Sequence, residues 1–539
     1  MIHAGCFRLQ VNASLIPFII SAEPNTGGKA MFMKKPMHFI ASLMAGLILS
    51  VNVSAQPDRS RAVLVEAAEA LGGLEVLQGL DNFVLTGFGQ RYSTNGNLSP
   101  DPNAPPKWQS VTDARRYFDL GKNRALNQER NSFQYPLAAS FGHTWALNNT
   151  VQERADMLDH PVTAVLAALD SGSSLGPVTT EDGYTVVQFS LAGGTPFWLA
   201  LDPITHRPYW VRRITGDHTL GDVSQTTYFT GYVPYEGVEM PLGIMTRIDW
   251  RDQVTYMLQV DSYRVNVPDL PEMPLPARDN GPEDAAIEVE VTALSDGVWD
   301  VRIPGNGRGG DGGAVIEFAD HLVMFEPYGD GPLTLARIDA ANELVPGKQV
   351  TAIITTHHHG DHAGGVRAAV SRGITIIGER ETGAFYEEWV NRSAINFPDA
   401  LARNPQALKF MPVDDVLVLE DELRRLEIYQ VVGHAHMSNA VFAYLPEERF
   451  LMEGDLGDVN WEWHWWAGAL QANMDYYNLD PVLNIPVHGE PLPINETLSY
   501  HQQQAEAAMG VCRNNQATGM PFFGCPVKYD AEGAVPIAQ

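Results

Sequence analysis

Between Asp182 and Val265, apolar and polar residues alternate with a period of two through DGYTVVQFSLA, TPFWLALD, YWVRRITGD, QTTYFTGYV and QVTYMLQVDSYRV. Successive side chains of an extended chain point to opposite faces, so this alternation predicts half-buried strands. With few helices between them, they predict a curved antiparallel sheet. Helical spacing is confined to RAVLVEAAEALGG (Arg61–Gly73) and to the stretch from Thr150 to Gly172. Beyond Ala286 the rhythm changes. Strand-like AAIEVEVTALSDGVWDVRI, GAVIEFADHLVMFEP and QVTAIITT are interleaved with helix-like TLARIDAANELV and GGVRAAVSRG, which predicts a layered α/β architecture. The proline-rich stretch VPDLPEMPLPARDNGPEDAA (Val267–Ala286) separates the two rhythms, since it sustains neither helix nor sheet. The expected organisation is a β-rich N-terminal domain over 56–267, a linker over 268–286, an α/β domain over 287–500 and a tail over 501–539.

Composition adjusts this picture at the ends. At 539 residues the chain exceeds one ordinary core, and 45% hydrophobic residues is normal for globular protein. MKKPMHFIASLMAGLILSVNVSA (Met33–Ala55) pairs Lys34 and Lys35 with an apolar run from Phe39 to Leu49 and a small-residue end at Val53-Ser54-Ala55. That is the pattern of a secretory signal peptide, which predicts a periplasmic or secreted protein. The run is shorter than the ~20 residues a spanning helix needs, so no stable membrane span is expected. The residues before Met33 suggest an upstream start assignment. After removal of 1–55 only Cys512 and Cys525 remain. Under oxidising conditions they would close a short loop worth roughly 3 kcal/mol, or remain two free thiols. A formal charge of -29 repels phosphate backbones and argues against a nucleic-acid partner.

The candidate chemistry lies in TTHHHGDHAGG (Thr355–Gly365), which follows a buried-strand pattern and opens a helical one, the usual place for ligands at such sheets. On an extended segment His357 and His359 face the same way while His358 points elsewhere. Gly360 then allows a tight turn that brings Asp361 and His362 to a neighbouring point. Imidazoles with a carboxylate suit zinc or a similar cation, and the spacing allows two adjacent metal sites. In the N-terminal half His143, His160, His206 and His218 show no ligand spacing and read as surface or capping residues.

THHHGDH resembles the HxHxDH signature of the metallo-β-lactamase fold. Further elements follow in order: GHAHMSNAVFAYLPEERFLMEGDL (Gly433–Leu456) and NIPVHGEP (Asn484–Pro491). The resemblance spans roughly Glu288 to Pro491 and implies an αββα sandwich with a dinuclear site. It implies His357, His359 and His436 at one metal, Asp361, His362 and His488 at a second, and Asp455 bridging both. GHAH also offers His434; the distance to the following strand favours His436 and leaves His434 as a pocket residue. Zinc is the default pair of ions, with iron and manganese also suited. Two such metals ~3.5–4 Å apart hold a hydroxide as nucleophile, which predicts hydrolysis of an ester, thioester or lactone-like bond of a small molecule. Asp361 and Asp455 would orient the nucleophile, and Asp361 would pass a proton to the leaving group. Relatives dedicated to β-lactams usually carry cysteine or serine where Asp455 stands, so β-lactamase activity is the alternative. A non-catalytic lipid- or partner-binding role is a further one, since Leu220 to Pro241 is similar to repeats of lipoprotein-carrier-like half-barrels. After Asp455, the aromatic run with Trp461, Trp463, Trp465 and Trp466 predicts an apolar pocket wall for a bulky substrate, or simple packing. His464 matches no ligand spacing.

Overall fold

The computed structural model describes residues 55–93, 96–135, 148–274, 287–304, 311–434, 436–457, 466, 468–518, 527–530 and 533–536. The signal-like segment, His143, Trp461, Trp463, His464, Trp465 and Cys525 lie outside the described residues, as does the side chain of Cys512. The fold is mixed α+β. Its first part is a twelve-stranded, wholly antiparallel sheet running from Asn82–Tyr92 to Val254–Val265. The five alternating runs become consecutive neighbouring strands: Tyr184–Ser190, Pro196–Leu201, Pro208–Asp217, Gly221–Tyr235 and Val254–Val265, the last two separated by Val238–Ile248. Their apolar positions share one face with helices Ala55–Ala70 and Pro161–Leu169, where Leu64, Ala68, Val162 and Val165 meet Phe83, Phe118, Phe189 and Phe229.

The helix expected over Thr150–Gly172 is instead a strand, Asn148–Glu153, a 3-10 turn and a shorter helix, Pro161–Leu169. Thr150, Val151 and Gln152 pair with Asn127, Leu126 and Ala125, so sheet hydrogen bonds override a weak helical pattern. Pro161 then starts the helix at its first turn, where its missing N–H costs nothing.

His160 stands at the N-cap position of this helix and is fully buried against Phe83 and Phe118, with ring centroids 4.7 and 5.4 Å away. The Tyr263 hydroxyl donates to the Pro241 carbonyl at 2.7 Å, so its oxygen accepts from His160 Nε2 at 3.3 Å. Burial, and then Arg116, hold this imidazole well below its ordinary value, so it is neutral in the fold. Because the unfolded chain takes up a proton near pH ~6.5 and the fold does not, stability is present above that pH and is lost as pH falls. Urea titrations should therefore show wild type losing stability between pH 7 and 5 at up to roughly 1.4 kcal/mol per pH unit more than His160→Gln. Parallel curves for the two proteins would refute this.

The second part holds two facing sheets. One has seven strands from Glu290–Ser295 to Lys409–Val413, and the other six from Val416–Glu420 to Leu492–Pro493. Val323, Phe325, Ile354 and Ile377 of the first meet Ile428, Val441, Ala443 and Ile485 of the second in an apolar inner layer. Helices cover both outer faces. Ile338, Val366, Val370 and Trp389 pack on one sheet, and Leu470 and Met474 on the other, giving an αββα sandwich. The antiparallel sheet is docked on this sandwich. Leu220, Val223, Ile248 and Trp250 join the outer core of the first sheet, and the Asp222 carboxylate accepts from the backbone N–H groups of Ile395, Asn396 and Phe397. No described helix is long and apolar enough to cross a membrane.

Candidate metal centre

Strand Val350–Ile354, with Val350, Ile353 and Ile354 buried, ends before Thr355, after which the backbone leaves the sheet and delivers its histidines at the strand's C-terminal end. His357 and His359 project to one point with ring centroids 4.4 Å apart. The turn Gly360–Ala363 then returns His362, whose ring lies 4.1 Å from that of His357. Gly364 is required by close packing, since a Cβ there would stand 2.0 Å from the Gly329 carbonyl oxygen. Asp455 follows strand Phe450–Glu453 with a φ of 60°, and a Cβ on the preceding Gly454 would stand 2.6 Å from Thr356 Oγ1.

Ligand atoms of His357, His359, His436 and Asp455 lie within 4.8 Å of one another, as do those of Asp361, His362 and His488. Asp455 faces both groups with different atoms. Its Oδ2 is 3.0 Å from His436 Nε2 and 3.7 Å from His357 Nε2, whereas Oδ1 is 3.2 Å from His362 Nε2 and 3.4 Å from His488 Nε2. Asp361 Oδ2 is 3.8 Å from His362 Nε2 and 3.7 Å from His488 Nε2, on a side chain that opens to the surface.

The outer nitrogens show which atoms are left to bind. Thr356 Oγ1 donates to Glu326 Oε1 at 3.0 Å, so it accepts from His357 Nδ1 at 3.0 Å. That leaves His357 Nε2 as a bare acceptor, buried without a hydrogen-bond partner. His359 Nε2 donates to the Asn97 carbonyl oxygen at 2.8 Å, leaving Nδ1. His362 Nδ1 stands 3.0 Å from Glu326 Oε1 and His488 Nδ1 stands 2.8 Å from Asp311 Oδ1, leaving two Nε2 atoms 3.2 Å apart. Metal-binding histidines characteristically give their other N–H to a carbonyl or carboxylate, which fixes the tautomer, so the donor set fits a pair of borderline divalent cations.

Burial, and then the neighbouring histidines, hold the His357 and His359 imidazoles well below their ordinary value, which suits neutral ligands. At His362 and His488 burial acts in the same direction but is outweighed. Asp455 and Asp361 push His362 well above its ordinary value, and Asp311 and Asp361 push His488 up to about 10. The Asp455 carboxyl resists burial through His362 and lies well below the usual range.

His434 is in neither group; its Nδ1 accepts from the His436 backbone N–H at 3.1 Å and its ring lies 5.9 Å from Trp466. Trp466 stacks on His436, with centroids 4.6 Å apart at 19°, while also joining the outer core beneath the second sheet. Trp466 therefore touches the site and packs the fold. His358 packs edge-on to Phe385 and belongs to neither group, although its ring lies 4.8 Å from that of His359. The sequence reading had no signal for Asp311, Glu326 or Asn97, since each reaches its histidine only through the fold. Asp311 and Glu326 leave one trace, a carboxylate at a strand's end (Glu326 after Leu322–Phe325, Asp311 at the start of Asp311–Glu317), and Asn97 leaves none.

Residues 314–467 match the family model described as the Metallo-beta-lactamase superfamily. No curated protein matches the sequence. Among solved structures, the chain is similar to a metallo-beta-lactamase from Pontibacter korlensis at 20% identity, over 40% of this chain and 100% of that one, with a TM-score of 0.32. It is similar to a metallo beta lactamase from Erythrobacter litoralis at 18% identity, over 40% of this chain and 97% of that one, at 0.31. The FIM-1 enzyme from Pseudomonas aeruginosa, in its mono-zinc form, matches at 20%, over 41% and 96%, also at 0.31. The segment that matches the superfamily model carries His357, His359, Asp361, His362, His436 and Asp455.

Proposed function

We propose that the protein is a metal-dependent hydrolase of an ester, thioester or lactone-like bond, directed out of the cytoplasm by Met33–Ala55. The observation that carries this reading is Asp455, whose two oxygens address two separate ligand groups, the requirement for a carboxylate shared between two ions. Two divalent ions, zinc by preference, would supply there the Lewis acidity that brings the pKa of a water molecule toward ~7 and polarises the scissile bond. His357, His359 and His436 would hold one ion, and Asp361, His362 and His488 the other. Glu326, Asp311 and the Asn97 carbonyl keep the imidazoles oriented and in the correct tautomer. Asp361, exposed beside His488, is placed to take a proton and pass it to the leaving group.

The test is metal analysis of purified protein, followed by turnover of esters, thioesters, lactones, sulfate esters and a chromogenic β-lactam. Stripping with a chelator should abolish hydrolysis of the preferred ester class and zinc should restore it. Undiminished turnover after complete stripping would remove the reading, and faster turnover of the β-lactam than of any ester would replace it with β-lactamase activity.

A further inference from the structure

Strand Leu322–Phe325 runs into segment 326–329, which reaches Asp361, His362 and His488 directly or through one residue. Glu326 Oε1 stands 3.0 Å from His362 Nδ1. The Tyr328 ring packs edge-on to that of His488, with centroids 5.9 Å apart. Its hydroxyl donates to Asp311 Oδ2, and Asp311 Oδ1 stands 2.8 Å from His488 Nδ1. The Gly329 N–H donates to the Asp361 carbonyl at 2.9 Å, and the Pro327 carbonyl accepts from the Gly365 N–H at 3.0 Å. This approach requires glycine on the side of the histidine motif, since a Cβ on Gly365 would stand 1.7 Å from Thr334 Oγ1.

The path of the segment is held from helix Gly331–Asn342, which Asp330 starts directly after it by accepting from the Leu333 N–H at 3.1 Å. Glu326 has a φ of 71°, a left-handed conformation that an L-glutamate seldom enters unaided. Its carboxylate goes to Thr356 and His362, and its carbonyl goes to Arg337 Nη1 at 2.7 Å. Arg337 Nη2 donates to the Phe325 carbonyl at 3.1 Å and Nε to the Val301 carbonyl at 3.0 Å. All three nitrogens of a fully buried guanidinium are thus spent on main-chain oxygens, which makes it a clamp on the backbone. Burial pulls this guanidinium down to about 10, so it stays charged at neutral pH. One turn earlier on the helix, the fully buried Thr334 hydroxyl donates to the Tyr328 carbonyl at 3.1 Å.

We propose that Arg337 and Thr334 are positioning residues for the ion held by Asp361, His362 and His488, because they fix the segment that orients these three ligands. The assignment rests on the dinuclear hydrolase reading. Glu326 reaches the group of His357, His359 and His436 only through Thr356, so the two ions depend on the helix unequally.

The test measures zinc affinity at both sites by chelator competition, and the binding step that His488→Ala removes identifies the site concerned. Thr334→Val deletes one hydroxyl at nearly constant volume. It should weaken zinc at that site about tenfold and change the other by less than about twofold, and Thr334→Ser should restore wild-type affinity. Arg337→Met should lower affinity at the same site by about 10–100-fold, with a smaller loss at the other. If Arg337→Met does not fold, Thr334→Val and its serine rescue decide alone. No loss at the His488 site, or equal losses at both sites, in either folded variant would overturn the assignment while two zinc ions in wild type leave the hydrolase reading standing. Wild type that binds fewer than two zinc ions would overturn the dinuclear reading, and this assignment with it.

Discussion

Asp455→Asn should abolish ester hydrolysis, with a loss of about a thousandfold or more in kcat/KM, the scale of several kcal/mol of lost electrostatic stabilisation. Asparagine is the informative substitution because Asp455 has a φ of 60°, a left-handed conformation that asparagine tolerates better than most residues. The backbone therefore keeps its path and only the negative charge shared by the two ligand groups is removed. In asparagine, one of the two oxygens that stand 3.2 and 3.0 Å from the Nε2 atoms of His362 and His436 becomes an NH2 group, which offers no lone pair to a metal. Metal analysis should show fewer than two ions per chain. A variant with full zinc occupancy and near-normal turnover would remove Asp455 from the centre.

The second large effect is expected at Glu326, which is fully buried and has a φ of 71°. Its Oε2 accepts from the Thr356 N–H at 2.9 Å, and its Oε1 lies 3.0 Å from both Thr356 Oγ1 and His362 Nδ1. Glu326→Ala leaves these groups buried without their acceptor, at about 1–3 kcal/mol for each donor. Stability should fall by roughly 3–5 kcal/mol and zinc affinity by about 10–100-fold, read by denaturant melting and chelator competition. Glu326→Gln retains an acceptor for Thr356 but lacks the charge, so it should recover most of the stability and less of the affinity. Equal recovery of both would reduce Glu326 to a packing role.

The Asn97 carbonyl completes this outer set from outside the sandwich. Asp311 and Glu326 come from the sandwich itself, whereas Asn97 arrives from the antiparallel sheet. The docking of that sheet, through Trp250, Arg392 and Asp222, therefore sets the orientation of His359 as well as burying apolar surface.

Two kinds of information can be separated at this centre. Strand periodicity and the strand-to-helix position of TTHHHGDHAGG were legible in the sequence because they depend on neighbours a few residues apart. The division of labour inside that motif follows from the same local geometry: His357 and His359 converge, and His358 turns to Phe385. Of the helix expected over Thr150–Gly172 only Pro161–Leu169 forms, because Val151 is drawn into the sheet by its pairing with Leu126, a contact that local spacing does not contain. The partners Asp311, Glu326 and Asn97 stand 177, 36 and 262 positions from His488, His362 and His359, and no spacing rule relates residues so far apart. The sequence by itself determined which atoms could bind metal, because ligand chemistry is a property of side chains. Only the tertiary structure decided which nitrogen of each ring faces the centre and which foreign segment covers it. Those depend on hydrogen bonds closed by packing two sheets and a third, distant one around the same point.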